Sequence, residues 1–344
     1  MSPTQPSRHT RHRVDETLTP DRQRRQGVSQ TRIGAWAAAS AAMLFGSAFV
    51  ATAFQLRSFT PTSAAMWRGG VGAVLLTAVI LAQRIRSRSA PAGHVRPVAG
   101  WARRWRLLAL GGLSGPLFVL GMNVAVSEVG STITGFVVAL YSIFSATIAP
   151  VLLNEPLRGR AVVGLLSALV GTALLAQLSV AGTSVVGLAA GLGAAASYAF
   201  YLVMGRRWSP AYEIRPEHAA LAAAVMTAVL LLGLLAAVDR SALLPNDWRP
   251  DALVALLWLG FVMVAGQTLV MVSVRRVPAE ISASLLLLNP LTAALLGMTL
   301  LGEKLSGTQI IGGVLVLVGM ALASGLFAFV RGKLRPIPRT REAP

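Results

Sequence analysis

Long apolar runs alternate with short polar turns along nearly the whole chain, and from residue 33 onward the runs are apolar on every face rather than along one stripe. Ten of them come close to or exceed the roughly 20 residues that a helix needs to cross about 30 Å of hydrocarbon. The pattern predicts spans at 33–54, 61–83, 106–127, 131–153, 160–178, 186–204, 217–238, 252–274, 279–301 and 308–330. Several ends coincide with Pro61, Gly130, Pro156, Pro216, Pro278 or Gly307, residues that make a helix hard to continue. Residues 1–32 and 331–344 are polar and basic; the first is read as a disordered tail.

The stretch Glu280 to Ser324 matches Thr132 to Ala176 without a gap at an offset of 148 residues. In this register Glu155 meets Glu303, Leu157 meets Leu305, Gly164 meets Gly312 and Gly171 meets Gly319. Apolar coincidences are cheap in such a chain, but one Glu and two Gly in a single register are not. Residues 33–178 and 186–330 thus form two five-span halves, and an odd number of spans sends the second copy into the membrane from the opposite side. The fold class expected is an all-α integral membrane protein of ten transmembrane helices, built as two inverted five-helix repeats.

Composition and charge sharpen this picture. With 54% hydrophobic residues against 13% charged and a mean hydropathy of +0.64, the chain has more apolar surface than a soluble core can hide. The net charge of +18 raises the question of nucleic acid, but the basic residues are scattered between spans, and no nucleic-acid partner is expected. Counted by alternate sides, 26 Lys and Arg fall with the two termini, and only Arg57, Arg240, Arg249 and Lys304 fall opposite; Arg68 lies within a span. Cytoplasmic loops carry the excess of such residues. The expectation is therefore a multi-pass protein of the cytoplasmic membrane with both tails inside, Glu155 on the cytoplasmic face and Glu303 on the outer one.

At this resolution the chain resembles the EamA-type proteins of the drug/metabolite transporter superfamily, from residue 33 to about 330. The resemblance rests on Gly46-Ser47-Ala48-Phe49 in span one, Pro61 followed by Arg68 in span two, and two copies of a span ending in Glu-x-Leu, Asn154-Glu155-Pro156-Leu157 and Gly302-Glu303-Lys304-Leu305. It implies a helix bundle in which spans one to four and six to nine line a central cavity while five and ten stay peripheral. It also implies transport of small metabolites, often amino acids or related compounds and frequently outward. A drug carrier or a nucleotide-sugar-like carrier of the same superfamily is the alternative. The second half departs from the first in carrying Gly302 opposite Asn154 and Pro290 opposite Ser142.

Candidate site residues are the polar groups that a lipid-facing helix would not choose. Arg68 is the only charge deep in a span, seven residues or about 10 Å along the helix from Pro61. It either attracts a substrate carboxylate or gates the outer mouth, or else it snorkels to headgroups or pins helices together. Asn289 lies at mid-span, next to Pro290, which lacks an N–H and is expected to kink the helix and free the Leu286 carbonyl. Tyr141 is the first-half equivalent of Asn289. Asn123, Ser197, Tyr198 and Gln267 complete the substrate-binding candidates, against the competing reading that such groups only bond neighbouring backbone. For Glu155 and Glu303 the choice is between a solvated or helix-capping role and a proton relay.

Absences exclude other classes. The chain has no Cys, and His9, His12, His94 and His218 lie in tails, loops or a span end, so neither a metal site nor any other cofactor is expected. No Asp or Glu lies in the core of a span, which disfavours proton-coupled exchange of lipophilic cations, and no catalytic pair can be assembled there, so an enzyme is not expected. The partners expected are a small-molecule substrate and membrane lipid. A coupling proton or none, and a monomer or a weak homodimer, remain open choices.

Overall fold

The computed structural model describes residues 20–87, 100–153, 159–175, 184–212, 214–274, 276, 285 and 287–324, and these are helical throughout apart from short turns. In chain order they form α1 (Pro20–Gln55), α2 (Pro61–Ser87), α3 (Gly100–Gly112), a π-helical turn (Leu113–Leu117), α4 (Phe118–Ala139), α5 (Tyr141–Leu153) and α6 (Gly159–Leu175). The second half continues with α7 (Val185–Ala211), α8 (Pro216–Val238), a 3-10 turn (Arg240–Leu243), α9 (Pro250–Val274), α10 (Leu288–Leu300) and α11 (Gly307–Ser324). Six helical runs among the described residues are long and apolar enough to cross a membrane, and three shorter apolar helices accompany them. Large apolar side chains such as Val74, Leu166 and Leu257 point outward and stay exposed, as a helix facing lipid requires.

Two expectations change here. Residues 1–32 were expected to be a disordered tail, yet α1 already runs from Pro20. Proline is well placed in the first turn, where its missing N–H costs nothing, and the Arg- and Gln-rich stretch that follows has strong helix formers. Span three, expected to be one helix over 106–127, is instead α3, the π-turn and the first part of α4, because Pro116 cannot donate to the regular ladder and the extra residue of the π-turn absorbs it. The expected kink at Pro290 involves Leu286, and Glu155 follows α5; both Leu286 and Glu155 lie outside the described residues.

Glycine sets the sharpest bend. Within α4, Gly130 has φ 83° and ψ 170°, which divides the 54-residue helical run Gly100–Leu153 in two. The helix that restarts at Ser131 has free N–H groups, and the carboxylate of Glu303, from the turn after α10, caps them. One oxygen accepts the Ser131 N–H at 2.7 Å and its hydroxyl at 2.8 Å, and the other accepts the Thr132 N–H at 2.9 Å. An anion at a helix N-terminus is favoured both by these charge-assisted bonds and by the helix dipole.

The helices pack in pairs: α6 on α11, α1 on α9 and α10, α4 on α7 and α10, α5 on α7, α2 on α8 and α9, and α3 on α8. Small residues bring the backbones together. A Cβ placed on Gly171 would stand 2.5 Å from the Gly312 carbonyl oxygen, and one on Gly319 the same distance from that of Gly164. Midway between these contacts the Ser167 hydroxyl donates to the Leu315 carbonyl at 2.9 Å. Gly171→Ala is expected to cost about 1–3 kcal/mol through overpacking, read as a lowered thermal midpoint in detergent. Gly70→Ala, whose Cβ would meet nothing within 4 Å, should not lower the midpoint and is expected to raise stability by about 0.4–1 kcal/mol through helix propensity.

Candidate functional site: a central cavity with one cation and an aromatic wall

A cavity of about 180 Å³ lies in the middle of the bundle. Its walls come from α1, α2, the π-turn, α4, α5, α7, α8, α9 and α10, and neither α6 nor α11 contributes to them. Close helix approach shapes two of its sides. A Cβ on Gly46 of α1 would stand 2.5 Å from the Asn289 carbonyl oxygen, and one on Gly69 would stand 2.8 Å from the Ala224 carbonyl oxygen, so α1 meets α10 and α2 meets α8 backbone to backbone. Gly46 thereby seats Asn289, and Gly69 seats its neighbour Arg68.

Four of the candidate residues come together here: Arg68, Tyr141, Tyr198 and Asn289 all line the cavity. Arg68 stands in the cavity wall between α2 and α8. Its Nη1 is shut away from solvent without a hydrogen-bond partner, and no carboxylate of the described residues pairs with it. The Asn289 Oδ1 is likewise buried and unpaired. Tyr141 and Asn289, equivalent in the two halves, both face the same space.

The other candidates do different work. Asn123 is fully buried, and its Nδ2 donates to the Pro61 carbonyl at 3.0 Å, tying α4 to the start of α2. Ser197 turns away from the cavity and gives its hydroxyl to the Leu113 carbonyl at 2.6 Å, satisfying an acceptor at the π-turn. Gln267 lies on α9, and its side chain is outside the described part. Glu303 serves as the helix cap already described. Ser47, Thr52, Ser142, Ser145, Thr268 and Thr292 donate to carbonyls three or four residues back on their own helices.

Phe118, Tyr201, Ser114 and Thr227 also line the cavity and were not among the substrate-binding candidates. Phe118, Tyr198 and Tyr201 form a tilted stack, with ring centroids 4.8 Å apart for the first pair and 5.3 Å for the second, and Tyr141 meets Tyr198 edge-on at 5.0 Å. Ser114 and Thr227 add hydroxyls that donate to the carbonyls of Leu110 and Ala223. The i, i+3 spacing of Tyr198 and Tyr201 was the available signal, since it puts both phenols on one helix face. Phenylalanine in an apolar span carries no such signal.

This is the organisation of a multi-pass helical membrane protein with a cavity inside its bundle. The sequence pattern of the EamA-like transporter family matches residues 32–177 and again 185–325, and the chain belongs to that family. It is 29% identical over 290 residues to the "Uncharacterized transporter YwfM" of Bacillus subtilis (strain 168), spanning 83% of this chain and 91% of that protein. It is also 27% identical over 270 residues to "Protein PecM" of Dickeya dadantii (strain 3937), spanning 74% and 86% respectively. A solved crystal structure of another protein superposes with a TM-score of 0.57 at 22% identity, covering 88% of this chain and 99% of the other; that likeness speaks to the fold.

The two kinds of polar residue should separate in measurement. Ser197→Ala is expected to cost about 1 kcal/mol of stability and leave cargo affinity unchanged. Tyr198→Leu is expected to weaken cargo binding by about two- to tenfold through loss of one ring contact of about 0.5–1.5 kcal/mol, besides the stability lost with its contacts to Phe118, Tyr141 and Tyr201. Thermal unfolding and half-saturating cargo concentration, measured on the same preparations, check both.

Proposed function

We propose that this chain is a secondary transporter that carries small polar metabolites, amino acids or related compounds first, out of the cell across the cytoplasmic membrane. It works by alternating access between two inverted five-helix halves. The observation that carries this reading is the central cavity, walled by helices of both halves and holding, among its described lining residues, a single cation whose Nη1 has no hydrogen-bond partner.

The packing pattern supports the inverted halves. Exchanging α1 with α7, α2 with α8, α3 and the start of α4 with α9, the rest of α4 and α5 with α10, and α6 with α11 maps the nine most extensive packed pairs onto one another, while lesser ones such as α1 on α4 have no comparable counterpart among the described residues. Thus α1 on α9 becomes α7 on α4, α1 on α10 becomes α7 on α5, and α2 on α9 becomes α8 on α3. The pairs α2 on α8, α4 on α10 and α6 on α11 map onto themselves. The hydrogen bond from Ser167 reaches its own repeat equivalent, Leu315, at the offset of 148. Contact of Gly171 with Gly312 and of Gly319 with Gly164 is what a two-fold axis through that point produces. The family pattern matches twice, once per half. Counting the run broken at Gly130 as two, the six long runs and three shorter apolar helices of the described residues are compatible in number with the ten-span reading.

With the charge-derived orientation, the outer end of the bundle is where the polar links between halves gather. Arg57 pairs with Asp251 at 2.9 Å, the Asn246 N–H donates to the Ser58 carbonyl at 2.8 Å, and the Trp67 indole donates to the Leu243 carbonyl at 2.9 Å. These links, with the Glu303 cap, join the halves at that end and would part when the carrier turns outward, as the Arg207–Leu152 bond at the other end would part when it turns inward. A nucleotide-sugar-like cargo fits less well, because a phosphorylated anion calls for more than one arginine fork and more room.

An overexpressing strain challenged with amino acids and their toxic analogues should gain resistance to a subset of them. In proteoliposomes the same compounds should show flux that saturates and accelerates when the far side is loaded. A flat resistance profile would remove amino acids as the cargo, and strictly linear flux would replace the carrier by a channel.

A further inference from the structure

Three features of the cavity restrict its cargo beyond the transport reading, on which this inference rests. The first is size: about 180 Å³ is little more than the roughly 150 Å³ that encloses one benzene ring. The second is charge. Among the described lining residues Arg68 carries the only charge, and its Nη1 has no partner. A buried ion left unpaired costs several kcal/mol, so a monoanion that neutralises Arg68 is stabilised there, whereas a cation is repelled. A zwitterion brings a carboxylate but leaves the net charge of the site unchanged. The third is shape. Phe118, Tyr141, Tyr198 and Tyr201 all line the cavity and brace one another, which gives it a rigid aromatic wall suited to packing against a ring.

We infer that the cavity selects single-ring aromatic monocarboxylates, with Arg68 holding the carboxylate and the Tyr141–Tyr198–Phe118 wall holding the ring. An α-amino group is tolerated, not required. Asn289 Oδ1, buried and unpaired, accepts a hydrogen bond from an ammonium or hydroxyl that the cargo carries. Recognition therefore follows the acid and the ring, and aromatic amino acids enter as substituted aromatic acids.

The test uses the purified full chain and four probes at equal concentration: 3-phenylpropanoate, phenylalanine, phenethylamine and butanoate. A ligand that binds only the folded state raises the thermal midpoint. Both phenyl acids should raise it, and the amine and the aliphatic acid should not. Arg68→Gln should weaken both phenyl acids by about 10–100-fold, as loss of a hydrogen bond to a charged group does; Arg68→Lys should recover part of that loss. If Arg68→Gln does not fold, the wild-type panel decides. Stabilisation by phenethylamine equal to that by the acid would overturn the role of Arg68. Butanoate matching phenylpropanoate would overturn the role of the rings, and no shift from any probe would overturn the cargo class. Saturable counterflow of some other metabolite in the same preparation would then leave the transporter standing, while absence of any saturable flux would count against transport itself.

Discussion

In hydrocarbon no water is available to an open backbone N–H or C=O, so every break in a helix needs a donor or acceptor from somewhere else in the protein. The structure obeys this constraint in a particular way: the repairs come from the other half of the chain. Glu303 caps the helix that restarts after Gly130, Ser197 meets the Leu113 carbonyl at the π-turn, and Arg207 donates to the Leu152 carbonyl at the end of α5 at 3.0 Å, while Ser167 adds a bond to the Leu315 carbonyl inside the unbroken α11. The polar groups that mend the backbone are thus also the links that hold the halves together.

This division explains the sparse chemistry of the cavity. Most hydroxyls inside spans are consumed by carbonyls one turn back on their own helices, and Asn123 and Ser197 are consumed by backbone across helices. Among the described residues that line the cavity, what is left over is small: an unpaired Arg68 Nη1, an unpaired Asn289 Oδ1 and a wall of aromatic rings, while the Asn123 Oδ1 stays unpaired outside that lining. A site with so few unsatisfied groups can hold cargo by one strong polar contact and one shape contact, and can release it once the walls move apart.

Much of this was visible in the sequence for a physical reason. Polar residues in apolar runs are costly, so Arg68, Tyr141, Tyr198 and Asn289 stood out, and the cavity collects all four. The same cost made Asn123 and Ser197 stand out, and only the fold shows that their partners are the Pro61 and Leu113 carbonyls rather than a cargo. The π-turn was hidden because Pro116 reads equally well as a kink, and the bend at Gly130 reads as a span end. Phe118 belongs to the site through which helix it faces, a property that an all-round apolar span does not encode in its own residues, whereas Tyr201 was legible through its i, i+3 spacing from Tyr198.

The central claim is that two halves rock about a cavity that opens to one face at a time. The absence of native cysteine lets spin labels be placed freely. Distances measured by electron–electron double resonance should be taken between labels on the two halves at each end of the bundle, one pair near Arg57 and Asn246 and one near Leu152 and Arg207. Alternating access predicts two populations in which one end is wide when the other is narrow, shifting in opposite senses when cargo is added. Distances at the two ends that rise and fall together, or that do not respond to cargo, would contradict the account.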